Sequence, residues 1–318
     1  MKYKLLVLDV DGTLLNKEKE ISARTLSTLL KIQQMGVRIV LASGRPTFGI
    51  RPIALKLELD KNDGFILSYN GGQIISMQKE ELLFEKRINP EMLAYLEKKA
   101  TESGFDVFTY HQDKIYTNNP FNEYITREAH INRMGVLSFE HLAPHIDFAP
   151  CKFMIAGKRE DHLIKLEERW KKRLNGVLDV FRSEPYFLEV VPNFIDKANT
   201  LGVLLEKLSV KPEEIMAIGD GVCDFSMIQL AGLGVAMGNA QDSVKACADI
   251  VTTSNDEDGV ALAVENNILA EIHPSEIPLD ELNARARHAL MGNLGIQYTY
   301  ASDKRIEATM PVDERTRQ

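Results

Sequence analysis

The stretch KLLVLDVDGTLL, residues 4–15, decides how the rest of the chain is read. Leu5, Leu6, Val7 and Leu8 form an apolar run that delivers Asp9 and Asp11 and then breaks at Gly12. A short apolar run closed by a glycine is the pattern of a strand buried on both faces, as in parallel α/β sheets. Carboxylates at the end of such a strand are expensive unless they are paired, hydrogen-bonded or bound to a metal. Their position points to a site at the carboxyl end of a central strand, where open α/β sheets take their ligands. Taken alone, Asp-Gly after a strand is equally ordinary turn chemistry. The decision therefore rests on what the other strands carry.

Outward from this stretch, SARTLSTLLKIQQMG (22–36) has apolar residues at helical spacing, with Ser22 as its cap and Gly36 as its stop. VRIVLASGR (37–45) reads as a second buried strand ending in Ser43, Gly44 and Arg45. GFILSYNGG (64–72) repeats the pattern and leaves through Asn70-Gly71-Gly72, a tight turn close to a hinge. Strands alternating with helices predict a Rossmann-like, doubly wound parallel sheet.

From about Leu83 to Phe187 the texture changes. FDVFTY, KIYTNN, CKFMIAG and YFLEVVP alternate with the helical PEMLAYLEKKATES and EDHLIKLEERWKKRLN, which predicts an α+β insert with its own antiparallel sheet. The first pattern then resumes in DKANTLGVLLEKLSV (196–210), EIMAIGDGVCD (214–224), GLGVAMGNA (232–240) and DIVTTSNDEDG (249–259). The expected organisation is a core in two parts, 1–83 and 188–270, an inserted cap over 84–187, and a tail over 271–318. Two crossings between core and cap imply a hinge with a cleft beside it.

Composition narrows the function. With 44% hydrophobic and 26% charged residues the 318-residue chain is globular and long enough for two domains. A net charge of −8 argues against non-specific nucleic-acid binding, so an anionic substrate must be held by local cations. Three widely spaced cysteines, Cys151, Cys223 and Cys247, make neither a disulfide framework nor a zinc pattern and suit a reducing, cytoplasmic setting. Asp9 and Asp11 interrupt the opening apolar run too early for a signal peptide, and no apolar stretch approaches the roughly 20 residues of a membrane span.

The strand ends carry complementary chemistry: Asp9 and Asp11, then Ser43, then Asp220 and Asp224. Together they suit metal-dependent phosphoryl transfer. Hard carboxylate oxygens fit Mg²⁺. A carboxylate attacks phosphorus once the phosphate charge is masked by a metal and a cation, for which Lys197 is the candidate. Asp11 stands near enough to protonate the leaving oxygen and later to activate water. Ser43 offers a hydroxyl to the transferring group.

DVDGTLL, ASGRP, Lys197 and IGDGVCDFSMIQLAGLGVAMGNA followed by ADIVTTSNDEDGV resemble, in this order, the motifs of the haloacid dehalogenase superfamily. The likeness is to its Cof-like phosphatases with an inserted α/β cap, and it covers about residues 1–268. It implies Asp9 as nucleophile and Asp11 as general acid and base, with Ser43, Lys197 and Asn239 on the phosphate. It also implies Mg²⁺ held by Asp9, the backbone carbonyl of Asp11, Asp220 and Asp224, and a cap that chooses the leaving group. Arg45 and Asn70 are weaker candidates beside the substrate or the cap hinge. Two positions depart from the pattern. Cys223 stands where asparagine is expected, which predicts a looser Asp224 or a looser water shell on the metal, and Ala198 replaces the glycine after the motif lysine.

The tail, LDELNARARHALMGNLGIQYTYASDKRIEATMPVDERTRQ, reads as a helix over about 279–290 and two strands, IQYTYAS and RIEATMPV. It resembles the opening of hotdog-fold acyl-CoA thioesterases and stops before the positions that carry their catalysis. The expectation is a phosphatase fused to a thioesterase and seen here in part, with a tail that packs on the core, pairs with another chain as in a homo-oligomer, or is disordered. The activity expected overall is Mg²⁺-dependent hydrolysis of a small phosphorylated metabolite, a sugar phosphate or a phosphorylated cofactor, with nucleic acid and membrane excluded as partners. The alternatives are a phosphotransferase or mutase, and a weakened scaffold that binds phosphorylated ligands.

Overall fold

The computed structural model describes residues 2–270, 283, 296–301 and 306–310. The chain opens with β1 (Leu5–Leu8), α1 (Ala23–Gln34), β2 (Arg38–Ala42), α2 (Thr47–Lys56) and β3 (Phe65–Ser68). Ser22 caps α1 by accepting the amide of Thr25, and Gly36 ends the turn at a left-handed φ of +90°. β4 (Gln73–Ser76) and β5 (Glu81–Glu85) follow as hairpin strands. The chain then leaves to build a second sheet. It returns for α6 (Lys197–Leu208), β12 (Ile215–Gly219), β13 (Leu233–Ala236) and β14 (Ile250–Val251), with α7 (Phe225–Leu230) between the first two of these strands.

The first sheet has the order β14-β13-β12-β1-β2-β3-β4-β5. It is parallel from β14 to β3, and β4 and β5 pair antiparallel at one edge. The parallel core predicted from the sequence is thus present, with an antiparallel pair added at one edge. Every residue of β1 is fully buried, as the apolar run requires of a central strand. On one face Leu5, Val7, Val40, Phe65 and Ala217 pack against Leu201, Leu204 and Leu205 of α6. Each such side chain contributes about 1.5–3 kcal/mol of burial.

The second sheet contains β6 (Asp106–His111), β7 (Lys114–Thr117), β8 (Gly135–Ser138), β9 (Phe153–Ala156), β10 (Leu178–Glu184) and β11 (Phe187–Pro192), in the order β10-β11-β9-β6-β7-β8. Its edge pair β7 and β8 runs parallel, so the insert is not purely antiparallel. The sheet also runs on to Pro192, so the return crossing falls over 193–196, beyond the 187 read from the sequence, while β5 keeps Phe84 and Glu85 in the first sheet. One face buries Val107, Phe153, Ile155 and Leu188 against α3 (Leu93–Thr101) and α5 (Glu160–Arg173). The opposite face, with Phe108, Tyr110, Met154 and Phe187, packs on Ile125 and Ala129 of α4 (Glu123–Asn132) and on Tyr69 of the core.

In the tail, β15 (Gln297–Ala301) pairs antiparallel with β16 (Ile306–Thr309), as the sequence predicts. The helix expected over 279–290 lies outside the described residues apart from position 283. Among the described residues no helix is long and apolar enough to cross a membrane.

Candidate active site

Because β1 lies between β2 and β12, the residues that follow the three strands meet at one end of the sheet. Asp9 follows β1, Ser43 follows β2 and Asp220 follows β12, and all three line one cleft of about 1440 Å³. The loop after β1 passes hard against Asp220: a Cβ at Gly12 would stand 2.4 Å from Asp220 Oδ2, and Gly12 also has φ +85°. Only glycine meets both demands.

Lys197, at the start of α6 behind its cap Asp196, reaches into the group. Its Nζ donates to Asp9 Oδ1 at 2.6 Å and to Asp224 Oδ1 at 2.5 Å. The other oxygen of Asp224 accepts the amides of Asp220 (3.0 Å) and Gly221 (2.9 Å), and Asp220 Oδ1 accepts the Thr13 hydroxyl at 2.7 Å. Asp224 and Lys197 are almost wholly inaccessible to solvent. Two acids thus share one ammonium, with Asp220 beside them. Burial, reinforced by the charge of Asp224, pushes Asp9 well above the usual carboxylate range, and burial raises Asp220 to about 6. Burial opposes the charge on Lys197, yet Asp224 and Asp9 hold its pKa above the ordinary lysine value.

Carboxylate oxygens of Asp9, Asp220 and Asp224 lie within 4.8 Å of one another. A surplus of closely spaced hard oxygens is the donor set of an oxygen-preferring divalent cation, so these residues fit a metal.

Asp11 differs from Asp9. Arg45 grips both its oxygens, Nε on Oδ2 at 2.6 Å and Nη2 on Oδ1 at 2.7 Å, and Lys19 Nζ lies 2.7 Å from Oδ1. Burial works to raise its pKa, but Arg45 and Lys19 outweigh it and hold Asp11 below the ordinary value. Arg45, weakly signalled in the sequence, is therefore bound to the second aspartate of the opening motif. Asn70 takes a left-handed φ of 55°, donates its amide to the Ser43 carbonyl at 2.9 Å and keeps a buried Oδ1 with no partner.

Asn239 stands apart from this group. It is exposed, its Nδ2 donates to the Gly12 carbonyl at 2.8 Å, and its Oδ1 accepts the amide of Asn255 at 3.0 Å. It braces two loops and is not among the residues that line the cleft. The expected loosening of Asp224 by Cys223 is also absent: Cys223 Sγ lies 3.7 Å from Asp224 Oδ1, and the turn amides and Lys197 hold both oxygens.

The cap wall of the cleft was not singled out by motif. It carries Tyr110, Glu128, Asn132, Lys152 and Glu189. Lys152 and Glu189 form an ion pair at 2.9 Å with side chains only 3% and 5% exposed. The available signal was strand alternation: in CKFMIAG and YFLEVVP the charged residues occupy the face opposite Phe153 and Val190.

A haloacid dehalogenase-like hydrolase family model matches residues 6–264. The chain belongs to this family. A 5-amino-6-(5-phospho-D-ribitylamino)uracil phosphatase of Bacillus subtilis is 32% identical over 267 residues, 84% of this chain and 96% of the relative. A haloacid dehalogenase-like hydrolase of Bacteroides thetaiotaomicron, solved as a crystal structure, is 48% identical with a TM-score of 0.80, over 83% of this chain and 99% of that one. The subclass IIB sugar phosphatase BT4131 superimposes with a TM-score of 0.69 at 26% identity, over 83% of this chain and 98% of that one. The chain is thus a phosphomonoester hydrolase of the haloacid dehalogenase type with a Cof-like cap, and the family match ends at 264, before the tail.

Proposed function

We propose that this hydrolase cleaves small phosphomonoesters with Mg²⁺ through an aspartyl-phosphate on Asp9. The observation that carries the reading is the buried Asp9 facing a capped cleft, 2.6 Å from Lys197 and beside the Asp220 and Asp224 oxygens. Asp9, Asp220 and Asp224, with the Asp11 carbonyl, would hold the ion. When bound it would mask phosphate charge and favour the ionised form of Asp9.

Asp9 then attacks phosphorus and the bond to the leaving oxygen breaks. Ser43 and Lys197 hold the phosphoryl oxygens; the Ser43 oxygen already accepts the Arg45 amide at 3.1 Å, which leaves its hydrogen to donate. Asp11 supplies the proton to the leaving oxygen and takes one from the water that attacks the aspartyl-phosphate, releasing phosphate and restoring Asp9. The grip of Arg45 and Lys19 sets Asp11 as a carboxylate, the form needed in the second step, so donation in the first requires those contacts to open and Asp11 to take a proton from solvent.

The hydroxyl, amide and carboxylate groups of the cap wall suit a polar leaving group such as a sugar or a cofactor alcohol. Phosphate release from a panel of such esters, with Mg²⁺ or EDTA and with Asp9→Asn as control, tests the reading. Release lost in both controls supports it; release that survives Asp9→Asn sinks it. Transfer to a second alcohol instead of water would mark a phosphotransferase or mutase. Binding without turnover by wild-type protein would mark a scaffold, a reading weakened by the firm hold on Asp224. For the tail we retain a thioesterase-like segment, supported by the antiparallel pair β15 and β16 and tested by acyl-CoA hydrolysis and light scattering on the whole protein. Cytoplasmic residence is supported by three unpaired cysteines.

A further inference from the structure

The loop Ser43–Arg45 holds much of the machinery: a hydroxyl for the phosphoryl group and the guanidinium on Asp11. Its backbone carbonyls are satisfied from two sources. The Ser43 carbonyl accepts the amide of Asn70 at 2.9 Å and the Arg45 carbonyl accepts the amide of Tyr69 at 3.0 Å, both from the core. The Gly44 carbonyl instead accepts Lys152 Nζ, at 2.9 Å, across the cleft from the cap.

Lys152 is unusual for a lysine. It is buried, paired with the equally buried Glu189 at 2.9 Å, and stands 5.9 Å from the ring centroid of Tyr110. Burying an ion pair gives little net stability and its desolvation often exceeds the Coulombic gain. A hydrophobic pair would serve the sheet at least as well, so stability alone does not account for a charge at this place. A fixed ammonium does give the cap a directed donor to one carbonyl of the catalytic loop.

We propose that Lys152, oriented by Glu189, is a positioning residue: its bond to the Gly44 carbonyl lets the seated cap fix the Ser43–Arg45 loop, and with it the Ser43 hydroxyl and the Arg45–Asp11 clamp. The inference rests on the phosphatase reading above. When the cap lifts, Gly44 is the one residue of the three whose carbonyl loses its protein donor, so the loop is fully set only with the cap seated. Asn132 marks the same closure, since a Cβ on Gly49 of α2 would stand 2.0 Å from its Oδ1. That Oδ1 is buried without a hydrogen-bond partner, so closure carries a penalty and is poised, not locked.

The test compares wild type, Asp9→Asn, Lys152→Ala and Glu189→Gln on phosphomonoesters with small and large leaving groups, with melting curves for each. Lys152→Ala is expected to lower kcat tenfold or more, by the same factor for every leaving group, with KM within about twofold. n-Propylamine, which replaces the missing stem and ammonium, is expected to restore part of the rate. Glu189→Gln is expected to show a smaller loss of the same kind. A kcat within twofold of wild type for Lys152→Ala overturns the inference while leaving the phosphatase reading intact. So does a loss that varies with the leaving group, which would place Lys152 on the substrate, or a loss that follows the melting point and ignores the amine. If wild type releases no phosphate with Mg²⁺, or Asp9→Asn matches it, both readings fall together.

Discussion

The core wall and the cap wall of the cleft are built by different means. In the core, Asp9, Ser43 and Asp220 each follow a parallel strand and strand order brings them together, while Lys197 joins them from the start of α6. In the cap, Lys152 and Glu189 come from neighbouring strands and reach the cleft because alternation turns one face of the sheet toward it. The core wall is held by short charged contacts: Lys197 is 2.6 Å from Asp9 and Arg45 is 2.6 Å from Asp11. The cap wall touches the core through one lysine donor, the fit of Asn132 against Gly49 and the packing of Tyr110 on Tyr69. Chemistry is fixed where the backbone is fixed, and the proposed function leaves selectivity to the cap wall.

The comparison predicts the largest effect in the core. Lys197→Met leaves Asp9 and Asp224 facing each other without their shared ammonium, both buried. Breaking a buried pair by removing one partner costs about 3–5 kcal/mol, and the phosphate loses its cation. Phosphate release is expected to fall by roughly 10³-fold or more, in line with loss of a preorganised electrostatic partner. Saturating Mg²⁺ is expected to recover stability better than rate, because a cation in the acid cluster replaces the charge but not the contact with the phosphoryl group. Recovery of full rate by metal alone would show that core and cap walls are less different than the contacts imply.

Gly49→Ala attacks the cap side. The new Cβ needs the space of the Asn132 amide, so the cap must lift or α4 must shift. kcat/KM is expected to drop about tenfold with the melting point changed by only a few degrees, a cost of about 1–3 kcal/mol. Gly49→Ala with Asn132→Ala should regain much of that loss, because the second change removes the clash. Additive losses in the double variant would mean that the two residues do not meet in the active state.

The third effect separates metal binding from stability. Asp220 titrates near 6 in the folded chain, against about 3.8 when exposed. The folded state thus holds an extra proton between those values, and the stability linked to it is lost as pH rises through 6. In metal-free protein at pH 7.5, Asp220→Asn is expected to raise stability by about 1–2 kcal/mol once solvent screening is allowed for. The gain should vanish near pH 4. Mg²⁺ should stabilise wild type at pH 7.5, lose that effect below pH 6, and do little for the variant. Equal responses to metal in both proteins would remove Asp220 from the metal set.

Much of the core wall was legible in the sequence because a buried strand that ends in acids has few physical explanations, and the strands containing Leu5–Leu8 and Ile215–Gly219 both end that way. The edge strands Gln73–Ser76 and Glu81–Glu85 were not legible: QIIS and ELLFE are short, and the second is half-solvated, so neither period stands out. The cap wall stayed hidden for another reason. Lys152 in CKFM reads as a polar interruption, and nothing local says that its partners are Glu189 and a carbonyl 108 positions away. Arg45 was visible, but its grip on Asp11 depends on how the two loops fold over each other.

Asn239 gives the smallest effect and the sharpest contrast with its motif. Family resemblance puts it on the phosphate, whereas its side chain joins the Gly12 carbonyl to the Asn255 amide. Two largely exposed hydrogen bonds are worth about 1–2 kcal/mol together. Asn239→Ala is therefore expected to lower the melting point by a few degrees, with KM for a phosphomonoester unchanged within about twofold. The loop it braces includes Gly12, packed against Asp220, so any loss of rate should be shared by all leaving groups and should shrink as Mg²⁺ is raised. A rise in KM, or in the inhibition constant for inorganic phosphate, of tenfold or more with an unchanged melting point would put Asn239 back on the phosphate. It would also show that the loop turns inward when substrate binds.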